Sequence, residues 1–378
     1  MSSTSTSSTG AAAPAPATPA VPLRRDIAAL PAYVPGARPQ GEGIAKLSSN
    51  ELPYPVQGSV LAALTDTAAG VNRYPEMTGQ SLAEALAARH AEHGIDPAQV
   101  VLGNGSVALI QHLLDTVCEP GDEVVIPWRS FEAYPICIAV AGAQAVRVPV
   151  TAEGRHDVAA MLAACTPRTR VIMACTPNNP TGTALTASEL EALVDGAPDG
   201  VLVLVDEAYL DFVTDSAVGD ALDLLADHPG LVVSRTFSKA HALAGMRVGY
   251  LVAEPALAAA IRSVATPFGV SLPAQAAAGA AISPEALAET GRRARAVAAE
   301  RDRVLAALRD QGWTVPDAQG NFFWLPVGED AAALAAHFAD AGILVRPFAG
   351  DGVRVSIGTP EENDRVLAAA ASWPGKRA

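Results

Sequence analysis

The chain has 378 residues, half of them hydrophobic, and a formal net charge of -14. That length fits two domains, or one large α/β domain with an appendage, and supplies enough apolar residues for a sizeable core. The acidic balance argues against nucleic acid and against an anionic membrane surface as partners, because phosphate backbones and headgroups reward the opposite sign.

Residues 1–22 are Ser/Thr-rich and then Ala/Pro-rich, and read as a disordered tail by composition. They lack the basic start and aliphatic centre of a secretory signal. No uninterrupted, strongly apolar run of about eighteen residues suggests a membrane span. Cys118, Cys137, Cys165 and Cys175 sit in or beside apolar segments without a C-x-x-C pair. They suit buried thiols in a reducing cytoplasm better than a disulfide framework or a zinc site, so no metal is expected.

Residues 23–46 are punctuated by Pro and Gly and read as an arm with one short helix. From 47 to 255 helical and strand periods alternate. Helices are predicted over 80–92 and 107–118, and short buried strands over 100–102, 124–126, 145–150, 170–174, 201–205 and 231–234. This alternation predicts an α/β fold with a mostly parallel, doubly covered sheet. From 256 to 378 the texture changes. A long Ala/Arg-rich helix over 284–312 is followed by strands near 322–325, 343–345 and 353–357 and a last helix starting at Pro360, which reads as a smaller α+β domain. No internal repeat is present.

Five sites along this pattern carry chemistry. Gly103-Asn104-Gly105-Ser106 lies between a strand and a helix, where free backbone N–H groups can hold a phosphate, although a lone Gly-rich turn is a weak signal. Asn178-Asn179-Pro180-Thr181-Gly182 follows a strand; it is an ordinary turn by residue type, or a loop that aims an Asn amide at a pocket. Asp206 ends a strand of aliphatic residues, three positions before Tyr209. It is either a helix N-cap or a ligand-facing carboxylate, since ligands bind at the carboxyl ends of parallel strands. Lys239 stands in Ser234-Arg-Thr236-Phe-Ser238-Lys239, with Arg247 eight residues on. Such a lysine either snorkels to water from a strand end or is a Schiff-base lysine with hydroxyls and a guanidinium left to hold phosphate. Arg354 interrupts a strand of valines. It faces solvent at a sheet edge, or it clamps a carboxylate.

These motifs, in this order, resemble the fold-type I pyridoxal-phosphate aminotransferases and, within them, the histidinol-phosphate aminotransferase family. The likeness extends to Leu47-Ser-Ser-Asn50-Glu51, Arg73-Tyr74-Pro-Glu76 and Arg354-Val-Ser-Ile-Gly-Thr-Pro-Glu-Glu, and runs over about residues 23–375. The stretch Pro127-Trp-Arg-Ser-Phe131-Glu-Ala-Tyr134-Pro135 is most similar to the actinobacterial branch assigned to aromatic amino acids. Val107-Ala108 depart from the Asp-Glu frequent in the family at this point, which bears on substrate choice more than on cofactor binding.

The resemblance implies pyridoxal 5'-phosphate as cofactor, with Lys239 as the Schiff-base lysine and proton carrier, Asp206 facing the pyridine nitrogen, and Tyr209 and Asn179 at the ring's phenolic oxygen. Phe131 would stack on the ring. The phosphate would rest on Gly105, Ser106, Val107, Thr236, Ser238 and Arg247, joined by Tyr74 from a second subunit of a homodimer. Arg354 would bind the substrate α-carboxylate beside Asn179, with Arg346 and Tyr33 at the places that bind a substrate phosphate in histidinol-phosphate enzymes. The implied activity is transfer of an amino group from an aromatic amino acid to 2-oxoglutarate. Histidinol phosphate remains the alternative donor; a phosphothreonine-type decarboxylase, marked by carbon dioxide release, and a non-catalytic cofactor-binding module stand further off.

Overall fold

The computed structural model describes residues 21–22, 24–28, 30 and 43–375. Nearly all of the predicted tail therefore lies outside the described residues. A four-residue helix α1 (Arg25–Ala28) and a two-residue strand β1 (Ala45–Lys46) precede α2 (Gly58–Thr67) and α3 (Gln80–Arg89). Strand and helix then alternate through β2 (Val100–Gly103), α4 (Ser106–Val117), β3 (Glu123–Trp128), α5 (Tyr134–Val140), β4 (Gln144–Pro149) and α6 (Val158–Ala163). The alternation continues with β5 (Thr169–Cys175), α7 (Ala187–Asp195), β6 (Leu202–Asp206), β7 (Leu231–Thr236) and β8 (Gly249–Val252).

These seven strands pair in the order β2-β8-β7-β6-β5-β3-β4. Only β8 runs against the others, pairing antiparallel with β2 and with β7. The period-2 pattern of the aliphatic residues explains the double cover. Ile172 and Ala174 of β5 join the core under α3 and α7, whereas Val171, Met173 and Cys175 join the core under α4 and α5. Burying Val171, Ile172 and Met173 contributes about 1.5–3 kcal/mol of transfer free energy each. β8 is not evident in the sequence because it is four residues long and begins on a glycine.

The chain continues through α8 (Pro255–Val264), α9 (Leu272–Ala281), α10 (Pro284–Asp310), β9 (Phe322–Leu325) and α11 (Ala331–Asp340). It ends with β10 (Ile343–Leu344), β11 (Arg346–Phe348), β12 (Gly352–Ser356) and α12 (Pro360–Ala371). β11, β12 and β9 form an antiparallel sheet with β12 in the middle, and β1 pairs in parallel with β10. A second core joins α10, α12 and this sheet, and takes Ala45 and Leu47 from the start of the chain.

The texture change at residue 255 marks the end of β8, and the second core starts later, with α10. Ala274, Ala277, Ala278 and Ala281 of α9, and Ala258 and Ile261 of α8, pack on the large sheet. By packing, then, α8 and α9 belong with residues 47–255. α9 and the helix after it are both rich in alanine, so composition hides this. Local chemistry sets the helix ends: Ser283 accepts from the amide of Ala286 with Pro284 at the first helical position, and Thr359 and Glu362 form a capping box for α12.

Candidate active site

A cavity of about 480 Å³ opens at the carboxyl ends of β5, β6 and β7, beside the antiparallel sheet. Those strand ends deliver Cys175, Asp206 and Thr236 to its floor, the position expected for ligands in an open α/β sheet. Asp206 is buried, and its Oδ2 accepts a hydrogen bond of 2.8 Å from the Tyr134 hydroxyl. Its Oδ1 is buried without a hydrogen-bond partner. Burial pushes the Asp206 carboxyl up to about 6, against the opposing pull of the Tyr134 bond, the Ala208 amide and the positive charge of Lys239. A buried carboxylate oxygen facing a cavity, its other oxygen tied down, is a ready acceptor for a cationic N–H.

At the other end of the cavity is an anion cradle. α4 starts at Ser106 without a side-chain cap on its first turn, and the Gly105 that precedes it has φ 78°. Its first amides and its dipole favour negative charge. Ser106, Val107, Thr236, Ser238 and Arg247 line the wall there. The Thr236 hydroxyl donates to Ser238 Oγ at 3.0 Å, and Arg247 Nη1 donates to the same Oγ at 3.3 Å. Arg247 reaches back through a short 3-10 turn and a left-handed residue at φ 54°, not through a two-turn helix. Gly105 stands behind the lining: a Cβ added there would come within 2.5 Å of Arg247 Nη2.

Lys239 lies between the two ends. Its Nζ donates to the Ser49 carbonyl at 3.3 Å and sits 5.4 Å from the centre of the Tyr209 ring. Burial, with the nearby positive charge of Arg354, pulls its ammonium down to about 7. Lys239 is therefore a cavity-lining, partly buried amine whose charged form is disfavoured, rather than one reaching out to bulk water. Tyr209 is buried; its oxygen accepts from Asn50 Nδ2 at 3.0 Å, and burial raises its phenol.

The third wall carries two guanidiniums. Arg354, on the central strand of its sheet, donates to Asn179 Oδ1 at 2.5 Å and to the Ser48 carbonyl at 2.7 Å. It is buried, so the solvent-edge alternative falls. Arg346 is tied to Glu132 at 2.6 Å. Phe131, in the loop after β3, also lines the cavity and meets Tyr134 edge-on, with ring centres 5.4 Å apart.

Two expected residues lie elsewhere. Tyr33 falls outside the described residues. Tyr74 is outside its own chain's cavity, 82% exposed and stacked on Phe268 with centroids 4.6 Å apart. Three further side chains hydrogen-bond those expected from the sequence: Tyr134 to Asp206, Asn50 to Tyr209, and Arg346 to Glu132. Tyr134 and Glu132 stand in the quoted stretch after β3 and Asn50 in the quoted arm motif, but spacing alone does not reveal which way a loop residue turns. Among the described residues no cluster of three His, Cys, Asp or Glu could hold a metal ion, and no helix is long and apolar enough to cross a membrane.

An amine with a depressed pKa, an uncapped helix start flanked by hydroxyls and a guanidinium, and a buried carboxylate line one cavity, a set that suits a transferase site for a phosphorylated, carbonyl-bearing cofactor with a basic ring nitrogen. Arg346 and Arg354 line the same cavity. The chain belongs to the family of class I and II aminotransferases, whose model matches residues 42–370. A curated relative from Thermobifida fusca, named aromatic amino acid aminotransferase, is 47% identical and covers 93% of this chain and 97% of its own length. A Rhodococcus opacus protein of the same name is 49% identical over 92% of this chain and 95% of the relative. The crystal structure of histidinol-phosphate aminotransferase from Sinorhizobium meliloti in complex with pyridoxal-5'-phosphate superposes with a TM-score of 0.79 at 28% identity, covering 86% of this chain and 90% of that one. The architecture is that of the fold-type I transferases.

Proposed function

We propose that this chain is a pyridoxal 5'-phosphate-dependent aminotransferase that moves the amino group of an aromatic L-amino acid to 2-oxoglutarate, giving the aromatic oxo acid and L-glutamate. The observation that carries the reaction is the single cavity joining the α4 anion cradle, Lys239, Asp206 and Arg354. The aromatic substrate is supported by the names of relatives 47–49% identical over nearly the whole chain.

The orphaned Asp206 Oδ1, the uncapped first turn of α4 and the Ser238–Arg247 pair fit the ring nitrogen and phosphate of this cofactor. When bound, pyridoxal 5'-phosphate supplies an electron-poor ring that draws charge away from the substrate's Cα. Asp206 keeps a proton on the ring nitrogen with its negative charge. Lys239 Nζ, in its neutral form, would take the proton from the substrate's Cα as general base and hand it on across the substrate nitrogen as general acid. Arg354 binds the α-carboxylate and, with Asn179, orients the Cα–H bond. Tyr209 donates its hydroxyl proton toward the phenolic oxygen while Asn50 holds its oxygen. Phe131 closes the ring face.

A homodimer is part of the reading. Val71, Tyr74, Met77 and Phe268 are exposed apolar side chains close in sequence or stacked on one another, and such a surface favours a second copy that would bring Tyr74 to its partner's anion cradle. The four cysteines are free thiols, which supports a reducing cytoplasm.

Arg346 on the cavity wall favours a second reading, histidinol-phosphate transamination. A donor panel with purified, cofactor-loaded protein decides between them. The proposal expects kcat/KM for phenylalanine to exceed that for histidinol phosphate, with parallel reciprocal-rate lines; the reverse order, or intersecting lines, overturns it.

A further inference from the structure

Arg346 and Arg354 are partners in the β11–β12 ladder. Directly opposed residues on one face of an antiparallel pair stand about 5 Å apart at Cβ, so two like charges there repel. Phe348 lies near both, 5.7 Å from Arg346 and 5.8 Å from Arg354. The Glu132 carboxylate meets Arg346 through Nη2 at 2.6 Å and Nε at 3.3 Å. Its side chain is 29% exposed, whereas that of Arg346 is 10% exposed. The same loop is pinned at its start by a separate ion pair of 2.6 Å from Arg129 to Asp351, in the turn between β11 and β12.

Two half-reactions in one cavity require it to take a neutral aromatic chain and, in turn, a chain ending in a second carboxylate. A bare guanidinium on the wall would cost the first and attract the second. The Glu132 carboxylate cancels that charge, and being partly solvated it can return to water cheaply when another anion takes Arg346. The Arg129–Asp351 pair keeps the loop, and Phe131 with it, in place during the exchange.

We propose that Glu132 is a specificity-determining residue: a removable counter-charge that presents Arg346 as a neutral pair to aromatic chains and yields it to the distal carboxylate of a dicarboxylic substrate. This rests on the reading that both substrate kinds share the cavity. It makes Glu132 a competitor of every distal anion, which is discrimination by a built-in rival contact.

The test compares wild type, Glu132→Gln and Glu132→Asp as folded, cofactor-loaded proteins. In Glu132→Gln the ratio of kcat/KM for glutamate to that for phenylalanine rises about tenfold, chiefly through KM, and Glu132→Asp restores most of the wild-type ratio. A ratio within about twofold of wild type, or a shift toward phenylalanine, overturns the proposal. Equilibrium binding of glutarate and of 3-phenylpropanoate gives the same comparison without turnover. Absence of phenylalanine turnover in wild type would sink the functional reading, while the glutarate ratio still judges Glu132. Should Glu132→Gln not fold, wild-type crystals decide: the Glu132–Arg346 contact opens with glutarate and stays closed with 3-phenylpropanoate, and a contact closed in both overturns the proposal.

Discussion

Tyr134 donates its phenolic proton to Oδ2 of Asp206, a buried carboxylate that lines the cavity floor. The bond favours the charged carboxylate against a burial effect that disfavours it. Asp206→Asn, which keeps the shape and removes the charge, is expected to lower kcat by about 10²–10³ while the cofactor stays bound, since an interaction strongest in the transition state is lost. Tyr134→Phe raises the Asp206 pKa further. The acid limb of the kcat/KM profile then moves to higher pH, and an unmoved limb would separate Tyr134 from this role.

Lys239 links stability to pH in the cofactor-free protein. Its folded pKa of about 7 lies below the ordinary 10.5, so the native state binds the proton less tightly than the unfolded chain. The cost is full below pH 7, shrinks as pH rises from 7 to 10.5, and vanishes above. At about 1.4 kcal/mol per pH unit, the full cost is about 5 kcal/mol. Lys239→Met should therefore be more stable than wild type at pH 6–7, with the advantage gone near pH 10.5, by denaturant melts without cofactor. The same variant should lose turnover, and borohydride should no longer fix cofactor to the chain.

Arg354→Ala is expected to raise KM for the amino donor and for the oxo acid together, by about 100-fold, because both carry the carboxylate it clamps. Steady-state kinetics with each substrate varied in turn checks this. A change confined to cofactor affinity would place the arginine elsewhere.

Gly249 sits opposite Gly103 in the β2–β8 pairing, where a Cβ would lie 2.8 Å from the Arg235 carbonyl and 3.0 Å from the Ser106 amide. Gly249→Ala should push the first turn of α4 out of line and weaken cofactor binding about tenfold, with the fold retained. Titration of the cofactor-free protein by fluorescence quenching, alongside circular dichroism, reads both.

Much of the fold is legible in the sequence because its central strands are aliphatic runs between amphipathic helices, and because Asp206 and Thr236 stand at strand ends that topology turns toward one cavity. β8 and β11 are not legible: one starts on a glycine and the other has a proline at its centre. At the site, Lys239 and Arg354 are set by strand position and so show in the pattern. Asn50 and Glu132 act from loops and Tyr134 from the first position of α5, where a side chain's direction depends on how the preceding loop is set by distant segments. Their partners lie 159, 214 and 72 residues away.

The pairing of β1 with β10, and the bond from Ser356 Oγ to Asn50 Oδ1 across 306 residues, carry a consequence for biosynthesis. The segment of Ser48 and Ser49, which line the cavity, and Asn50, which bonds Tyr209, precedes nearly all of the described chain, yet the strands that hold it are among the last. Contacts of such separation repay their loop-closure entropy late. The seven-stranded sheet and its cradle can assemble before β12 has been made, whereas Lys239 acquires Arg354 as its neighbour only once β12 pairs. Chain order thus makes the anion cradle an early product of folding and the enclosure of Lys239 a late one.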